Sequence, residues 1–528
     1  MQNDFLWWRD GIIYQIYPRS FADSNGDGIG DLNGIRSRLD YLAELGIDAI
    51  WLSPIFPSPD VDFGYDVSDY NAIDPRFGSM EDFDHLVEEA HARGIHIILD
   101  LVLNHTSDQH PWFQASRDPR SPYRNWYIWQ KSPPNNWQSV FGGPAWQQDP
   151  QSSEYYLHLF YKEQPDLNWR NPAVRQAMLE VFRFWLRRGV DGFRLDVFSA
   201  YFKDPDLRSN PPTLGIRPFD AQQHIYDCDQ PDLLPLLTQI RTTLDAYPER
   251  YAVGETFLAT PEKAARYTGS RRLHAAFDFG LLHSPWWPPS IYNAVERSES
   301  LFNEGWPTLV LSNHDIRRAA SRHTWWGSED DRRQEVAAAL LLTLRGTPFL
   351  YYGEEIGMRD IRLPRSQIQD PVGKRYWPFY PGRDGCRSPM QWDASASAGF
   401  SSGTPWLPLH PNYRTRNVAA QQQNPASLYH WYRRLIALRR ATPALQHGMF
   451  QWITFHPRRL LAYLRQTADE TILVALNFYG HPVRLALGRS LQTMQWQLAL
   501  SNRRQSDPLL HNGWLHLSGH EALILRQI

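Results

Sequence analysis

Residues 192 to 197 read GFRLDV, an apolar run that carries a guanidinium and a carboxylate two positions apart. Side chains alternate along a strand, so Arg194 and Asp196 point to the same side of it. A fixed cation that close favours the ionised carboxyl and typically lowers an Asp pKa by about 1–3 units. The run is the fourth of eight similar ones. The others are IIYQIYP from 12, AIWLSP from 49, HIILDLV from 96, YAVGET from 251, HAAFDF from 274, TLVLSN from 308 and PFLYYGEE from 348. Amphipathic segments such as MEDFDHLVEEAHARG, NPAVRQAMLEVFRFWLRRG, DLLPLLTQIRTTLDAY and RRQEVAAALLLTL lie between them. Eight strands, each followed by a helix or a long connection, predict an α/β chain closed into a (β/α)8 TIM barrel.

Two connections are too long for ordinary loops. Residues 106–170, after strand 3, are rich in Pro, Trp, Asn and Gln and read as an inserted subdomain. Residues 356–426 form a second excursion after strand 8. The barrel is thus expected in two parts, 1–105 and 171–449. From 450 to 528 short alternating strands without intervening helices (RRLLAYLRQ, TILVALNFYG, HPVRLALG, WQLALS, HEALILRQI) predict a C-terminal antiparallel β-sandwich.

The composition is ordinary and globular, with 42% hydrophobic and 21% charged residues. A net charge of −3 argues against nucleic acid or anionic membranes as partners. The N-terminal stretch lacks the basic-then-apolar pattern of a secretory signal, and the longest apolar run, VAAALLL at 336–342, is far short of a membrane span. Two cysteines, Cys228 and Cys386, make no disulfide framework and fit a cytoplasmic chain. The 22 tryptophans include the doublets Trp7–Trp8, Trp286–Trp287 and Trp325–Trp326. Aromatics are core material first, but doublets among Pro, Asp and His also suit a wide polar cleft where sugar rings stack.

TIM barrels place their active sites at the C-terminal ends of the strands. There the third strand supplies Asp100, Asn104 and His105 (DLVLNH), the fourth Arg194 and Asp196, the fifth Glu255 (VGETF), and the seventh His314 and Asp315 (LSNHD). Each motif alone fits a buried ion pair or a helix cap; the ordered set at four strand ends carries the reading. Asp196 beside Arg194 is a poised anion. Glu255 has no cation adjacent in sequence, lies beside Thr256 and Phe257, and suits a general acid. Anion plus protonated partner is the retaining glycosidase arrangement, with the carboxyls expected ~5–5.5 Å apart. Asp315 is a third carboxylate for sugar hydroxyls and an oxocarbenium-like transition state.

At these residues the chain resembles the α-amylase superfamily of glycoside hydrolases over essentially its whole length, and within it the α-glucosidase and oligo-1,6-glucosidase branch. QPDLNW at 164–169 is similar to a fifth stretch of that branch. The resemblance implies Asp196 as nucleophile, Glu255 as acid/base and Asp315 as transition-state stabiliser, with Arg194, His105, His314 and Gln164 around the glucosyl ring. DFGYDVSDY offers Asp62 and Tyr65, and CRSPMQWD offers Arg387. By resemblance the Tyr stacks under the non-reducing glucose, and the Asp and Arg close the pocket over its terminal hydroxyls. The expected activity is exo-acting, retaining hydrolysis of terminal α-glucosyl units from short oligosaccharides and disaccharides. The same glycosyl-enzyme would serve a transglucosylase or a trehalose- or sucrose-type isomerase. Non-catalytic transporter-associated relatives lack the carboxylates present here.

The stretch DSNGDGIGDLNG at 23–34 opens like an EF-hand loop, with Asp23, Asn25 and Asp27 at ligand positions 1, 3 and 5. Position 12, which should be a bidentate Glu, is Gly34, which argues against a calcium sensor. In relatives of this branch such a loop binds a structural Ca²⁺. The resemblance implies Asp23, Asn25, Asp27 and Asp31 as side-chain ligands and Ile29 through its carbonyl. Val197, after the nucleophile, resembles α-1,6-tolerant members of the branch, whereas YFKDPDLRSNPP and HIYDCDQPDLL are more similar to general bacterial α-glucosidases. The linkage, the oligomeric state and the balance of hydrolysis against transfer stay open.

Overall fold

All eight apolar runs form strands: β1 (Ile13–Ile16), β2 (Ala49–Leu52), β3 (His96–Leu101), β4 (Gly192–Leu195), β5 (Tyr251–Glu255), β6 (Ala275–Phe277), β7 (Trp306–Val310) and β8 (Thr347–Tyr351). The computed structural model describes residues 5–258, 260–302, 304–323, 330–454, 458–507 and 512–528. The strands close into a parallel barrel in the order β1-β8-β7-β6-β5-β4-β3-β2. They read as continuous apolar runs because each is buried on both faces, by the barrel interior and by the outer helices.

Those helices are α1 (Leu39–Leu45), α2 (Met80–Ala92), α3 (Pro172–Arg187), α4 (Leu233–Asp245), α5 (Pro261–Arg266), α6 (Pro288–Leu301), α7 (Arg332–Thr343) and α8 (Leu428–Arg440). Their starts are written in the sequence. A capping box of Ser79 and Asp82 opens α2, and Asn171 accepts from Ala173 N ahead of Pro172 at the first position of α3. One face of α3 buries Val174, Met178, Val181, Phe182 and Trp185 against the barrel.

Within 106–170, three short strands (Trp129–Gln130, Trp146–Gln148, Tyr155–Leu157) pair antiparallel. Their aromatic cluster, with Trp137, Trp146 and Leu159, reaches Phe257 just beyond β5. An antiparallel bridge between His105 and Asp166 ties this insert to the end of β3. The insert therefore stands as one wall of the barrel mouth.

The C-terminal sheet comprises β9 (Met449–Trp452), β10 (Leu460–Gln466), β11 (Thr471–Asn477), β12 (Trp496–Ser501) and β13 (Ala522–Gln527) in the order β9-β10-β11-β13-β12. One face packs Leu473 and Leu525 against Leu485 and Leu517 of a second, two-stranded sheet, completing the sandwich. The other face, including Val474 and Ile524, joins the barrel's own core. Arg465 on β10 is wholly buried and donates to the carbonyls of Thr343 (2.7 Å), Leu445 (3.0 Å) and Gly448 (3.1 Å). Arg439 of α8 does the same for Leu342, Leu344 and Gly346. Patterning predicts neither β9 nor the strand Trp514–Leu517; Met449 is 77% exposed and Trp514 42%, so apolar side chains fall on the outer face and blur the alternation.

The two described tryptophan doublets pack away from the strand C-termini. Trp7 stacks on His96 and packs edge-on to Tyr251, the first residues of β3 and β5, so it plugs the barrel end opposite the strand C-termini. Trp286 packs on Phe478 of the C-terminal domain, and Trp287 is 53% exposed. Trp325–Trp326 lies outside the described residues.

Candidate active site

At the barrel mouth Arg194 is the hub. Its Nη1 donates to Asp100 and to Asp196, each at 2.7 Å, and its Nη2 contacts Glu255. The reason is register: Arg194 on β4 lies beside Asp100 on β3 and Val253 on β5, so one side chain spans three strand ends. Trp51 and Tyr65 flank the guanidinium at 5.3 and 5.8 Å and also donate to Asp100. Two sequence-based expectations change here. Glu255 does have a cation, delivered from the neighbouring strand rather than along the chain. Asp196 is not held low: burial outweighs the pull of Arg194 and pushes it up to about 6. Three carboxylates gathered on one buried guanidinium raise one another's affinity for a proton, which favours a proton shared within the cluster.

Asp315 sits opposite, one-third exposed. Burial opposes its ionisation, but the His314 ring and the Arg383 and Arg387 guanidinium groups overcome that and hold it well below the usual carboxylate range. Gln15 on β1, which sequence reasoning passed over, donates from Nε2 to His314 Nδ1 at 2.8 Å. That leaves Nε2 as the protonated nitrogen, 2.7 Å from Tyr65 OH and 3.2 Å from Asp315 Oδ2. Burial pushes His314 down to about 3, so the ring is neutral at pH 7. Burial lowers His105 in the same way; its Nε2 lies 3.0 Å from Tyr65 O and 3.1 Å from Gln164 Nε2.

The pocket's closing pair is not Asp62 with Arg387. Arg387 is fully buried, with Nε on His314 O at 2.8 Å and Nη2 on Asp315 Oδ1 at 3.0 Å. It stands behind Asp315 and orients it. The guanidinium facing Asp62 is Arg383, at 2.7 Å; it also grips Asp370 at 3.0 and 3.1 Å and approaches Asp315 at 3.5 Å. Gln164 braces Asp62 at 3.3 Å, and Asp66 accepts from Asp62 N at 2.9 Å. Tyr65 lies parallel to His314 at 5.4 Å and is 6% exposed. The structure thus brings together Asp62, Tyr65, His105, Gln164, Arg194, Asp196, Glu255, His314 and Asp315. It sets Arg387 one layer back and adds Arg383.

Val197, directly after Asp196, has φ 35° and ψ 37°, a left-handed conformation that is rare for a β-branched residue. This sharp turn aims Asp196 into the mouth while the Val197 side chain packs toward the insert's aromatic cluster. The 23–34 loop lies apart from these acids. Asp23 accepts from the N–H groups of Asn25, Gly26 and Gly28; Asn25 Oδ1 accepts from Asp27 N, and Asp27 Oδ1 from Ile29 N. Asp31 caps the helix Leu32–Arg36 through Gly34 N. Among the described residues no three Asp, Glu, His or Cys side chains converge as a ready metal cluster. The donors are nonetheless all oxygens, from alternate positions of one tight turn through Gly26 and Gly28 (φ 83° and 90°). Asp27, Asn25 Oδ1 and Asp31 Oδ2 keep a free lone pair, whereas both Asp23 oxygens and Asp31 Oδ1 already accept two hydrogen bonds each. The all-oxygen set suits a hard cation in type, and the bonds on Asp23 would have to yield to it. The loop also docks on the excursion after β8, through Asp23 N to Phe400 O and Trp406 N to Gly28 O.

Residues 15–448 match the α-amylase catalytic domain family, and 450–510 match the maltogenic amylase C-terminal domain. A probable α-glucosidase of Rhizobium meliloti is 46% identical over 497 residues, covering 90% of each chain. An oligo-1,6-glucosidase of Parageobacillus thermoglucosidasius is 41% identical over 510 residues, again with 90% of each covered. The crystal structure of the α-glucosyl transfer enzyme XgtA superposes with a TM-score of 0.94 at 42% identity, covering 99% of this chain and all of that one.

Proposed function

The chain belongs to the α-amylase family of glycoside hydrolases, and from that premise we propose that it is an exo-acting, retaining α-glucosidase. Its substrates are terminal α-1,4- or α-1,6-linked glucosyl units of short oligosaccharides and disaccharides. The observation that carries the proposal is the single Arg194 guanidinium joining Asp196 to Glu255, in a pocket whose far side is shut by Asp62 and Arg383.

In this reading Asp196, ionised above about pH 6, attacks the anomeric carbon while Glu255 gives its proton to the leaving oxygen. The ester formed on Asp196 removes one negative charge from the Arg194 cluster. Glu255, now ionised against Arg194, takes the proton from the incoming water. Asp315, kept charged by Arg387 and Arg383, faces the positive charge that develops on the ring. Neutral His105 and His314 would serve as hydrogen-bond partners for sugar hydroxyls, in place of some of the protein contacts they make without sugar. An Arg383–Asp62 bridge across the pocket would bar a chain from running on past its non-reducing unit, which supports exo action on short chains.

Trapping with a fluorinated glucosyl donor, followed by peptide mapping, places the label on Asp196, and the first-formed sugar has α configuration. A label elsewhere or a β product refutes the mechanism. Transfer of glucose to a second sugar or alcohol is a second reading, favoured by the likeness to XgtA. Product analysis with maltose, isomaltose, sucrose and trehalose separates the two: stoichiometric free glucose supports hydrolysis, and a new glucoside supports transfer. We also propose that the 23–34 loop holds a structural Ca²⁺ through Asp23, Asn25, Asp27, Asp31 and the Ile29 carbonyl. The ion would stiffen the seam between the β1 loop and residues 400–406.

A further inference from the structure

Outside the barrel mouth, a cleft of about 410 Å³ lies between the 68–71 turn, the start of the insert at 110–112 and the solvent side of α3. Its volume falls within the ~300–1,000 Å³ range of small-molecule sites. Trp112 is half-buried, braced by Trp126 at 4.7 Å and His110 at 4.4 Å, so its indole is a fixed platform. Phe184 of α3 forms the facing wall, with the buried Val181 at its base.

The polar groups are set around that platform. His110 is only 5% exposed, and its Nδ1 accepts from Trp112 N at 3.1 Å, which makes Nε2 the N–H nitrogen. No hydrogen bond to Nε2 is found among the described residues, and burial pushes the ring down to about 4, so it is a neutral donor at the cleft. Arg187 and Asn71 add donors, while Asp69 and Glu180 add acceptors. An anion would be repelled by the two carboxylates, and a purely apolar ligand would strip water from charges of both signs. A neutral polyhydroxylated ring satisfies both sets of groups and offers CH faces to the indole.

We propose that this cleft is a second carbohydrate site, binding one neutral hexopyranosyl unit with its face on Trp112 and its hydroxyls on His110 and Arg187. It is separate from the glucosyl pocket, with Tyr70 as the wall between them: the Tyr70 ring lines the cleft, while its one hydroxyl proton is shared between Val102 O and His105 O, each 2.9 Å away. Sugar held there would keep the enzyme near the oligosaccharides it consumes.

The test uses the full chain carrying Asp196→Asn and fluorotryptophan. The Trp112 signal is assigned with Trp112→Phe, and glucose and isomaltotriose are titrated by fluorine NMR. The Trp112 signal moves saturably with a midpoint different from that of Trp51, which packs on the Arg194 cluster. Arg187→Ala raises the Trp112 midpoint by about threefold or more. It leaves the Trp51 midpoint, and aryl α-glucoside hydrolysis by the otherwise unaltered chain, unchanged. The proposal is overturned if Trp112 is still at about 100 mM sugar. Two other results also overturn it: movement in step with Trp51 regardless of Arg187→Ala, or an equal response to sodium sulfate. These readouts do not depend on whether the barrel mouth hydrolyses or transfers glucose.

Discussion

Replacing Arg383 tests which arginine closes the pocket. Its guanidinium spans Asp62, Asp370 and Asp315 at 2.7, 3.0 and 3.5 Å, and Asp62 and Asp370 are both buried. Lysine keeps the charge but reaches fewer of these oxygens, losing at least one charge-assisted hydrogen bond, about 1.5–3 kcal/mol. At about 1.4 kcal/mol per decade, that is a roughly 10- to 100-fold loss in kcat/KM. Glutamine removes the cation and strands two buried carboxylates, a cost of about 3–5 kcal/mol for breaking such a pair. Arg383→Gln therefore loses roughly 10²- to 10³-fold or more and melts at a lower temperature. Adding Asp370→Asn recovers part of the stability, because one stranded charge goes. The assay is steady-state hydrolysis of an aryl α-glucoside, with kcat and KM measured separately. Arg383→Lys acts on both, since Asp62 is expected to hold the sugar before and during reaction. Arg387→Lys acts mainly on kcat, through Asp315. If Arg383→Gln stays within about threefold of the parent while Arg387→Lys raises KM, the assignment of the clamp is wrong.

Activity on the acid side should follow Asp196. Because the ionised form attacks, kcat/KM declines roughly tenfold per pH unit below about 6, and a limb centred near 4 would contradict the burial argument. Gln15→Leu removes the donor that fixes the His314 tautomer; kcat drops about tenfold with KM nearly constant, and an unchanged kcat refutes the role. If the 23–34 loop holds calcium, chelator lowers the melting temperature by about 5 °C or more, and Asp27→Asn abolishes that difference. Identical melts with and without chelator would remove the ion from the account. Val197→Thr lowers the isomaltose-to-maltose ratio of kcat/KM about tenfold, and an unaltered ratio shows that this position does not set linkage.

The barrel was legible because its strands are buried on two faces and leave uninterrupted apolar runs, and because the acids punctuate the ends of those runs. Asp100, Arg194, Asp196, Glu255 and Asp315 could be placed at one mouth from order alone. What lies between strands was not legible. That Arg194 reaches Glu255 follows from the β4–β5 register, which no spacing along the chain encodes. The upward push on Asp196 comes from burial, whereas sequence shows only the cation two residues away. Arg383 and Arg387 both fall in a long irregular segment without periodicity, four residues apart, and only the folded loop tells which one turns toward Asp62. The Trp7–Trp8 doublet misled for a related reason: flanking polar residues look the same at either end of a barrel.

The buried arginines of the C-terminal seam bear on how the molecule can be cut. Arg465 belongs to one domain, yet the Thr343 carbonyl it satisfies belongs to the last turn of a barrel helix, α7. Burial pushes its guanidinium down to about 9, so it still carries charge at neutral pH and depends on those carbonyls to offset lost water. Truncation near residue 449 would expose the helix end and the core face that β11 and β13 now cover. The glycosidase barrel is therefore a poor module for grafting by itself, and the whole chain should lose its structure in a single step on heating.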